Sequence, residues 1–336
     1  MINFNSDTKC LITGGSGSWG QELTKHLLKL DYVEQIIIYS RNEDKQVMMK
    51  RDMPDKRIKY IIGDVRDPSA LNYAMHDVDI VFHLSALKHV PLCEEMPFEA
   101  IKTNVGGTKN VIDAAINNKV KKVVYVSSDK AVDSLNVYGM TKALGERMII
   151  QANYLRGGMT KFFSIRAGNV LGSSGSVVPF FVNQIKIQNE ITITEPNMTR
   201  YFFTLSDAID LLIHAANVSF GGEIFVMKMP SWYIIDLADV LIKKYGNSYT
   251  TTKKIGLRPG EKMDEVLISK HEAGASHVFN DNYYVILPSY PKDEGLYARY
   301  NEMPKVPFSE YTSRTVLKDR SELVNLLKKG GFLWRF

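Results

Sequence analysis

The strongest constraint on the fold is an alternation of short apolar runs with longer segments of helical periodicity. Six apolar runs have the length and composition of strands: Cys10–Thr13, Gln35–Tyr39, Ile58–Ile62, Ile80–His83, Val123–Ser127 and Phe162–Ala167. Helical periodicity occurs between them, over Gln21–Leu30, Glu43–Arg51, Pro97–Asn118 and Val137–Tyr154. Such alternation predicts right-handed βαβ crossovers, and therefore an α/β fold with a doubly wound parallel sheet.

Glycines recur in the turn that follows the first predicted strand. Gly14, Gly17 and Gly20 give the spacing G-x-x-G-x-x-G, and the first predicted helix starts here. Glycine permits a tight turn and lets the backbone approach a pyrophosphate at a helix N-terminus. A turn in a small-residue loop would look similar, but the strand before and the helix after favour a dinucleotide site in a Rossmann-like domain. The predicted binding residues are Gly14, Ser16, Gly17, Ser18, Trp19 and Gly20.

The end of the second predicted strand indicates which dinucleotide is bound. Folds that prefer NAD place an acidic residue there, whereas this chain has Ser40 and Arg41, with Lys45 one turn later. A cation can pair with a 2′-phosphate, so NADP is the predicted cofactor; a solvent-facing arginine is the alternative. Asp64 and Val65 follow the third strand and are predicted to hold the adenine edge, although a surface turn would look similar. Leu84, after the fourth strand, completes the predicted cofactor site.

A tyrosine and a lysine follow the fifth predicted strand at helical spacing. Tyr138 and Lys142 are four residues apart and therefore share a helix face. A nearby ammonium and the positive ring of a nicotinamide both lower the pKa of a tyrosine, so Tyr138 could take a proton from a sugar hydroxyl. Ser128 could hydrogen-bond the same hydroxyl. A chance occurrence of the pair is the alternative, which its position after the fifth strand disfavours.

An adjacent acid and base precede this helix. Asp129 and Lys130 lie at the carboxyl end of the fifth predicted strand, where ligands of doubly wound folds bind. Once C4 of a hexose is a ketone, the C5 proton is acidic and the C6 hydroxyl can leave. Asp129 is the predicted acid at O6, and Lys130 the predicted base at C5 if burial keeps its amine neutral part of the time. A surface ion pair is the alternative.

The pattern is less regular beyond Ala167. Helices are predicted over Val177–Ile187, Ser206–Asn217 and Ile235–Tyr245, and strands over Ile191–Thr194 and Ile224–Met227. We expect residues 1–167 to form an NADP-binding Rossmann domain. Residues 168–336 should form mainly a smaller substrate-binding lobe, with segments that can interleave with the sheet. The aromatic-rich stretch from about Asp281 is not assigned.

Charge and cysteine content exclude several classes of protein. The formal net charge of +5 is spread along the chain without a Lys/Arg block, so an anionic small ligand fits better than a nucleic acid. Cys10 falls in a predicted strand and Cys93 in a loop-like segment, and two cysteines give no disulfide framework or metal site. No run has the length of a membrane span, and no signal-peptide pattern is present. We therefore expect a cytoplasmic protein without metal or membrane partners.

Taken together, the motifs resemble those of the inverting UDP-N-acetylglucosamine 4,6-dehydratases, a branch of the extended short-chain dehydrogenase/reductase family. This branch begins pseudaminic acid and some capsular sugar pathways. The resemblance covers roughly residues 8–270. It rests on Ile12-Thr-Gly-Gly-Ser-Gly-Ser-Trp, Tyr39-Ser-Arg-Asn-Glu-Asp-Lys, Gly63-Asp-Val-Arg-Asp, Ala86-Leu-Lys-His-Val-Pro, Lys102-Thr-Asn-Val, Ser128-Asp-Lys-Ala-Val, Gly168-Asn-Val-Leu-Gly, Met198-Thr-Arg and Arg258-Pro-Gly-Glu-Lys.

The resemblance implies further binding residues. Lys88 would lie near cofactor and substrate, Asn169 and Arg258 would contact the UDP pyrophosphate, and Glu261 would lie near the ribose. Three more features follow from the family: a uridine slot lined by Val177–Phe180 and Ile193–Thr194, a positive charge from Arg200, and a homo-oligomer. Two residues depart from the family pattern. Ser128 replaces the usual threonine and keeps its hydroxyl, whereas Ser174 replaces an arginine and weakens anion binding near the active site.

The resemblance and the residues together predict a reaction. We expect NADP-dependent 4,6-dehydration of UDP-N-acetylglucosamine to a UDP-4-keto-6-deoxy sugar, with inversion at C5 and no net redox change. An epimerase, an NADPH-dependent keto-sugar reductase and a partial dehydratase that handles a 5,6-ene are the enzymatic alternatives. An epimerase or a reductase needs Tyr138 and Lys142 but not Asp129 and Lys130. A non-catalytic NADP-binding sensor is the alternative from another class, and the Tyr–Lys pair disfavours it.

Overall fold

A large, mainly parallel sheet forms the centre of the computed structural model, which describes residues 7–173, 175–290 and 293–333. In chain order the strands are β1 (Thr8–Thr13), β2 (Val33–Ser40), β3 (Ile58–Ile62), β4 (Ile80–His83), β5 (Lys122–Val126), β6 (Lys161–Arg166), β7 (Asn169–Val170), β8 (Glu190–Ile193), β9 (Thr199–Phe203), β10 (Ile224–Met227), β11 (Ser231–Tyr233), β12 (Thr251–Lys254), β13 (Val266–Ile268), β14 (Ser276–Val278), β15 (Tyr283–Ile286) and β16 (Tyr311–Thr312).

Helices connect most of these strands. They are α1 (Ser18–Leu27), α2 (Glu43–Asp52), α3 (Pro68–Ala74), α4 (Val90–Glu95), α5 (Pro97–Ala100), α6 (Gly107–Asn117), α7 (Val137–Ala152), α8 (Val177–Gln188), α9 (Leu205–Val218), α10 (Ile234–Tyr245), α11 (Lys270–Ala273), α12 (Glu294–Tyr300) and α13 (Arg320–Lys329). A π-helical turn, Ile101–Gly106, joins α5 to α6, and short 3₁₀ turns occur at Asp129–Ala131 and Leu155–Gly158. Among the residues that the structure describes, no helix has the length and apolar character needed to cross a membrane.

The strand order of the main sheet is that of a doubly wound fold. Its nine strands run β14-β15-β10-β6-β5-β4-β1-β2-β3. All neighbours from β10 to β3 are parallel, and β14 and β15 add an antiparallel edge. The order reverses between β1 and β4, which opens a crevice at the carboxyl ends of these strands. The predicted Rossmann-like α/β fold is confirmed.

Both faces of the sheet are covered by helices. In β2, Ile36 and Ile38 pack in the cluster that contains α1, α2 and α9, whereas Ile37 and Tyr39 pack in the cluster that contains α3, α6 and α7. Successive strand residues point to opposite faces, and both faces are buried here. For this reason the strands appear in the sequence as continuous apolar runs rather than as alternating patterns.

The segments after residue 167 serve both the sheet and a smaller lobe. In the lobe, α8, α10 and α13 pack against β8 and β9 around buried residues such as Trp232 and Leu237. Three small sheets, β11-β9-β7, β12-β8 and β13-β16, complete this region. The chain returns to the main sheet through β10, β14 and β15. The lobe is therefore tied to the sheet at several points.

Three local predictions differ from the structure. The single helix predicted over Pro97–Asn118 is divided by the π-helical turn, and Cys93 lies buried in α4 rather than in a loop. α3 and α4 were not predicted, because each is short and has a proline in its first turn, so periodicity gives little signal. The unassigned C-terminal stretch contains α12, β16 and α13.

Candidate active site

A cleft of about 1290 Å³ lies between the carboxyl edge of the sheet and the lobe. It collects residues from the glycine turn, from the ends of β2 to β5, from α7 and from loops of the lobe. The residues predicted from sequence that line it are Gly14, Ser16, Gly17, Ser18, Trp19, Ser40, Arg41, Lys45, Asp64, Val65, Leu84, Lys88, Ser128, Lys130, Tyr138, Lys142, Asn169, Val177, Thr194, Arg200, Arg258 and Glu261. Gly20 and Asp129, which were also predicted, do not line the cleft.

The glycine turn forms a narrow cradle at the start of α1. Gly14 has a φ of +68°, and a Cβ there would lie 3.1 Å from the backbone nitrogen of Ser85. Gly17 is the N-cap of α1 and provides no side-chain acceptor, and the start of α1 lines the cleft, where a helix N-terminus favours an anionic group. A Cβ on Gly20 would lie 2.3 Å from the carbonyl oxygen of Gly15, so Gly20 permits close packing of helix and turn. The cradle fits a pyrophosphate.

Cations gather where β2 ends. Ser40 Oγ donates a hydrogen bond to Ser16 Oγ at 2.9 Å, which joins the end of β2 to the glycine turn. Arg41 and Lys45 are exposed at the margin of the cleft. The pKa of Lys88 is lowered by its partial burial and by the charge of Lys45. This side of the cleft therefore favours a ligand with negative charge.

Asp64 is an acidic residue close to these cations. Its Oδ2 accepts a hydrogen bond from Arg66 at 2.6 Å and lies 3.7 Å from an Arg41 nitrogen. Burial raises the pKa of Asp64, but the hydrogen bonds from Arg66 outweigh it and the pKa is lowered. Asp64 is thus an ionised cleft residue whose charge is shared with two arginines.

The N-terminus of α7 holds Tyr138 in the cleft. Asn136 caps the helix by accepting from Gly139 N at 2.8 Å, and Glu94 accepts from Val137 N at 2.6 Å. Burial raises the pKa of Tyr138, and the hydrogen bond with Ser128 and the charge of Lys130 offset it only in part, so the pKa is raised rather than lowered as expected. Ser128 and Tyr138 therefore meet in the cleft as expected.

Lys142 occupies a different environment from the one expected. Its Nζ donates to the carbonyl oxygen of Val126 at 2.5 Å and lies 4.0 Å from the centre of the Tyr125 ring. Burial lowers the pKa of Lys142 to about 7, although the charge of Glu146 raises it. The ammonium that opposes the rise in the Tyr138 pKa is that of Lys130, so the electrostatic effect predicted for Lys142 comes from the other lysine.

Asp129 and Lys130 form a buried cluster with Glu265. Lys130 Nζ lies 3.1 Å from Asp129 Oδ1 and 3.2 Å from Glu265 Oε1. Ser128 Oγ donates to the same Asp129 oxygen at 2.8 Å. The Asp129 side chain is only 1% exposed, so it communicates with the cleft through Ser128 and Lys130, which both line it.

The charges of this cluster correct one expectation. Burial lowers the pKa of Lys130, but Asp129 and Glu265 outweigh it, and the pKa is raised well above the ordinary value. The amine is therefore protonated in the structure, whereas a base must be neutral. Burial raises the pKa of Asp129, which agrees with its predicted role as an acid.

Arg200 binds backbone carbonyl oxygens of the neighbouring loop. Its Nη1 donates to the carbonyl oxygens of Thr199 at 2.7 Å and Met263 at 3.1 Å, and its Nη2 donates to that of Lys262 at 2.9 Å. Glu261 lies 3.4 Å from the same guanidinium. Arg200 is buried, so it both lines the cleft and holds this loop in place.

The remaining predicted substrate residues lie around the rim. Asn169 begins β7, Val177 begins α8 and Thr194 follows β8, so the lobe supplies one wall. Arg258 is exposed at the opposite margin. Ser174, at which an arginine is missing, lies outside the described residues.

Some residues of the site were missed by sequence reasoning. Glu265 lies just beyond the recognised Arg258 motif, and no local pattern shows that it is buried beside Lys130. Lys262 Nζ donates to the carbonyl oxygen of Val132, and this contact also joins distant segments. Asn136 had a signal, because an asparagine just before a helical segment is a common N-cap.

The fold and site together define a short-chain dehydrogenase/reductase of the extended type: a doubly wound sheet, a glycine turn and a Tyr138–Lys142 helix beneath a small lobe. Residues 10–287 match the family model described as "Polysaccharide biosynthesis protein". The chain belongs to this family. The resemblance inferred from the motifs is confirmed by this match and by the relatives.

Two relatives illustrate the activities named within the family. The chain is 44% identical over 281 residues to a UDP-N-acetylglucosamine 4,6-dehydratase (inverting) of Campylobacter jejuni, covering 83% of this chain and 82% of the relative. It is 41% identical over 325 residues to a UDP-glucose 4-epimerase of Rickettsia rickettsii, covering 96% and 95%. Sequence similarity of this kind is therefore shared with both named activities.

Two solved structures have a fold similar to that of this chain. Pen from Bacillus thuringiensis has a TM-score of 0.91 and 38% identity, with coverage of 99% of this chain and 100% of that chain. DesIV, a dTDP-glucose 4,6-dehydratase from Streptomyces venezuelae determined with NAD and TYD bound, has a TM-score of 0.70 and 20% identity, with coverage of 76% and 87%. The second comparison supports the fold alone.

Proposed function

We propose that this protein is an NADP-dependent enzyme that dehydrates UDP-N-acetylglucosamine to a UDP-4-keto-6-deoxy sugar, with inversion at C5. The observation that carries this proposal is the cluster of Ser128, Asp129 and Lys130 beside Tyr138. An epimerase or a reductase needs a Tyr–Lys pair but has no use for an additional acid and base. The 44% identical relative from Campylobacter jejuni bears the name of the same reaction.

The cofactor proposal rests on the cradle and on the cations beside it. The positive φ of Gly14 and the open N-terminus of α1 suit a pyrophosphate, and DesIV, which has a similar fold, was solved with NAD bound. When bound, a nicotinamide cofactor supplies an acceptor for the C4 hydrogen, which it can return to the product. Arg41, Lys45 and Lys88 favour the additional phosphate of NADP.

Each proton transfer is then assigned to a residue of the chain. Tyr138 takes the O4 proton, and Ser128 holds the same hydroxyl. Asp129 is the acid that gives a proton to the C6 hydroxyl, which leaves as water. Lys130 takes the C5 proton only after its ammonium has released its own proton into the cleft, a step that its raised pKa makes unfavourable at neutral pH. Protonation of C5 from the opposite face then inverts that centre.

The test is incubation with UDP-N-acetylglucosamine in deuterated water without added NADPH, followed by proton NMR of the sugar. We expect a 4-keto-6-deoxy product with deuterium at C5, whose couplings report inversion. Asp129→Asn and Lys130→Met should form no product. Lys109→Met and Asp113→Asn are the matched controls, because they alter an exposed ion pair on α6 and should leave the reaction intact. An unchanged hexose would contradict the proposed substrate.

The epimerase is the second candidate, because relatives of similar identity carry that name. In the same experiment an epimerase would yield a C4 epimer that keeps its C6 hydroxyl. Turnover of a keto-sugar only with NADPH would indicate a reductase, and an accumulated 5,6-ene a partial dehydratase. Each of these products has a distinct NMR spectrum, so one experiment separates them.

A separate test concerns the cofactor. Arg41→Ala and Lys45→Ala should each weaken NADP⁺ binding about tenfold, because each removes one charge-assisted contact with a 2′-phosphate. NAD⁺ binding should change little, and isothermal titration calorimetry can measure both. Lys50→Ala, at an exposed position near the end of α2, is the matched control. Equal losses for the two cofactors would contradict the NADP assignment.

A further inference from the structure

Glu265 is a buried carboxylate at the lobe end of the cleft. It precedes β13, and its backbone exchanges hydrogen bonds with Ser313, whose Oγ accepts from Glu265 N at 2.9 Å and whose N donates to Glu265 O at 2.8 Å. Its Oε1 lies 3.2 Å from Lys130 Nζ and 3.5 Å from Arg200 Nε. The side chain is 3% exposed, so these cations are its main electrostatic partners.

Two carboxyl groups share one lysine in this cluster. Asp129 and Glu265 both face Lys130, but only Glu265 forms a second ion pair, with Arg200, so the charge of Glu265 is the better balanced of the two. Asp129 Oδ1 accepts from Ser128 and from Lys130, while Asp129 Oδ2 and Glu265 Oε2 are buried without a hydrogen-bond partner among the described residues. One of these two free oxygens is therefore the natural position for a proton.

The surrounding charges decide which carboxyl holds the proton. Lys130, Arg200 and Lys262 act on Glu265: burial raises its pKa, but Lys130 and Arg200 outweigh that effect and the pKa is lowered. For Asp129, burial raises the pKa, the charge of Lys130 opposes it, and the charge of Glu265 raises it further.

Two tyrosines complete the surroundings of Asp129. The charge of Asp129 raises the pKa of both Tyr138 and Tyr201, so both phenols stay neutral beside it. Lys130, Lys262 and the Ser128 hydroxyl favour an ionised Asp129, but burial and the charge of Glu265 outweigh them, so Asp129 holds the proton and Glu265 is ionised.

We propose that Glu265 is a positioning residue, the ionised carboxylate that holds the Lys130 ammonium in place and leaves a proton on Asp129. Its consequence for turnover rests on the dehydration proposed above, in which a protonated Asp129 is the acid. The distribution of protons in the resting protein does not depend on that reaction. The two parts can therefore be tested separately.

The first experiment measures where the proton lies, without turnover. The infrared difference spectrum between the wild-type protein and Asp129→Asn isolates the carboxylic acid band of Asp129, which is followed from pH 4 to 10. In the wild type the band should persist well above the pH at which an ordinary aspartate ionises. In a Glu265→Gln background its midpoint should fall by about one pH unit or more, because a neighbouring negative charge has been removed.

Two variants serve as controls for this titration. Glu265→Asp keeps the negative charge and should keep most of the elevation of the Asp129 midpoint. Asp264→Asn removes an adjacent carboxylate that pairs with Arg314 outside the cluster, and it should leave the Asp129 midpoint unchanged. An unchanged midpoint in Glu265→Gln would overturn the proposal. Absence of the protonated band at neutral pH in the wild type would also overturn it, even if no Glu265 variant folds.

The second experiment uses the rate of dehydration. Removal of the negative charge lowers the pKa of both Lys130 and Asp129, so both limbs of the pH profile of kcat should move to lower pH in Glu265→Gln. The KM for the nucleotide sugar should change little, and Glu265→Asp should restore the position of the profile. A purely structural role would reduce kcat at every pH without moving the limbs, and that result would overturn the proposal. If no dehydration occurs, the proposed function fails while the infrared titration remains decisive.

Discussion

The two ends of the cleft hold their lysines in opposite ways. At the sheet end, Lys142 contacts a carbonyl oxygen and an aromatic ring, and burial lowers its pKa to about 7. At the lobe end, Lys130 contacts Asp129 and Glu265, and its pKa is raised despite burial. Burial lowers the pKa of both lysines, so the difference in net direction comes from their partners.

This difference teaches which parts of the site are determined locally. The contacts of Lys142 lie within the β5–α7 unit, which a short stretch of sequence specifies. Those of Lys130 include Glu265, which reaches the cluster only because β13 pairs with β16. The sheet end is thus a property of a motif, whereas the lobe end is a property of the whole fold.

At the sheet end, the largest effect is expected from Tyr138. Tyr138→Phe removes the group that takes the O4 proton, and we predict a loss in kcat of about 10³-fold. Ser128→Ala should cost less, about tenfold, because only one hydrogen bond is lost. Steady-state kinetics with UDP-N-acetylglucosamine measure both, and calorimetry should show that the substrate still binds. If Tyr138→Phe retained more activity than Ser128→Ala, the assignment of the proton acceptor would be wrong.

The same distinction explains what could be predicted from the sequence. The strands and helices around β1, the glycine turn and the spacing of Tyr138 and Lys142 depend on short-range patterns, and the structure places the glycine turn and both side chains at the cleft. The elevated pKa of Lys130 was not predictable, because it requires Glu265 at a distance of more than a hundred residues along the chain. α4 was missed for a local reason, since six residues give too little periodicity.

A second prediction concerns the pH dependence of stability. The pKa of Lys142 is about 7 in the folded protein and near 10.5 when the chain is unfolded, so between these values the unfolded chain binds more protons. Its contribution therefore makes the free energy of unfolding rise with pH through this window, by about 2 kcal/mol between pH 7 and pH 9. Lys142→Met should remove that rise. Denaturation by guanidinium chloride at the two pH values measures it.

Lys130→Met tests the contrast with the lobe end. Its loss leaves two buried carboxyl groups without their shared ammonium, so the free energy of unfolding at pH 7 should fall by about 3 kcal/mol. Lys109→Met, at an exposed position, is the control. It should change neither the free energy of unfolding at pH 7 nor its rise between pH 7 and pH 9 by more than about 0.5 kcal/mol. If Lys142→Met left the rise in stability between pH 7 and pH 9 unchanged, the pKa of Lys142 would not be lowered in the folded protein.

The smallest expected effect lies at the joint between the two ends. Asn136 caps α7 with its Oδ1, while its Nδ2 donates to the carbonyl oxygen of Gly260, in the loop that carries Arg258, at 3.0 Å. Asn136→Asp keeps an oxygen for the cap but places a negative charge against that carbonyl, whereas Asn136→Ala loses both contacts. We predict that Asp raises the KM for the nucleotide sugar about fivefold, equivalent to about 1 kcal/mol, with little loss in thermal stability.

The pair of substitutions separates the two functions of one side chain. Asn136→Ala should raise KM to a similar extent and also lower the melting temperature, because the cap is worth about 1 kcal/mol. A normal KM for Asn136→Asp would mean that the Gly260 contact does not hold the loop for the substrate. The loop and the segment before α7 would then be joined by other contacts, such as that of Lys262, which donates to the carbonyl oxygen of Val132.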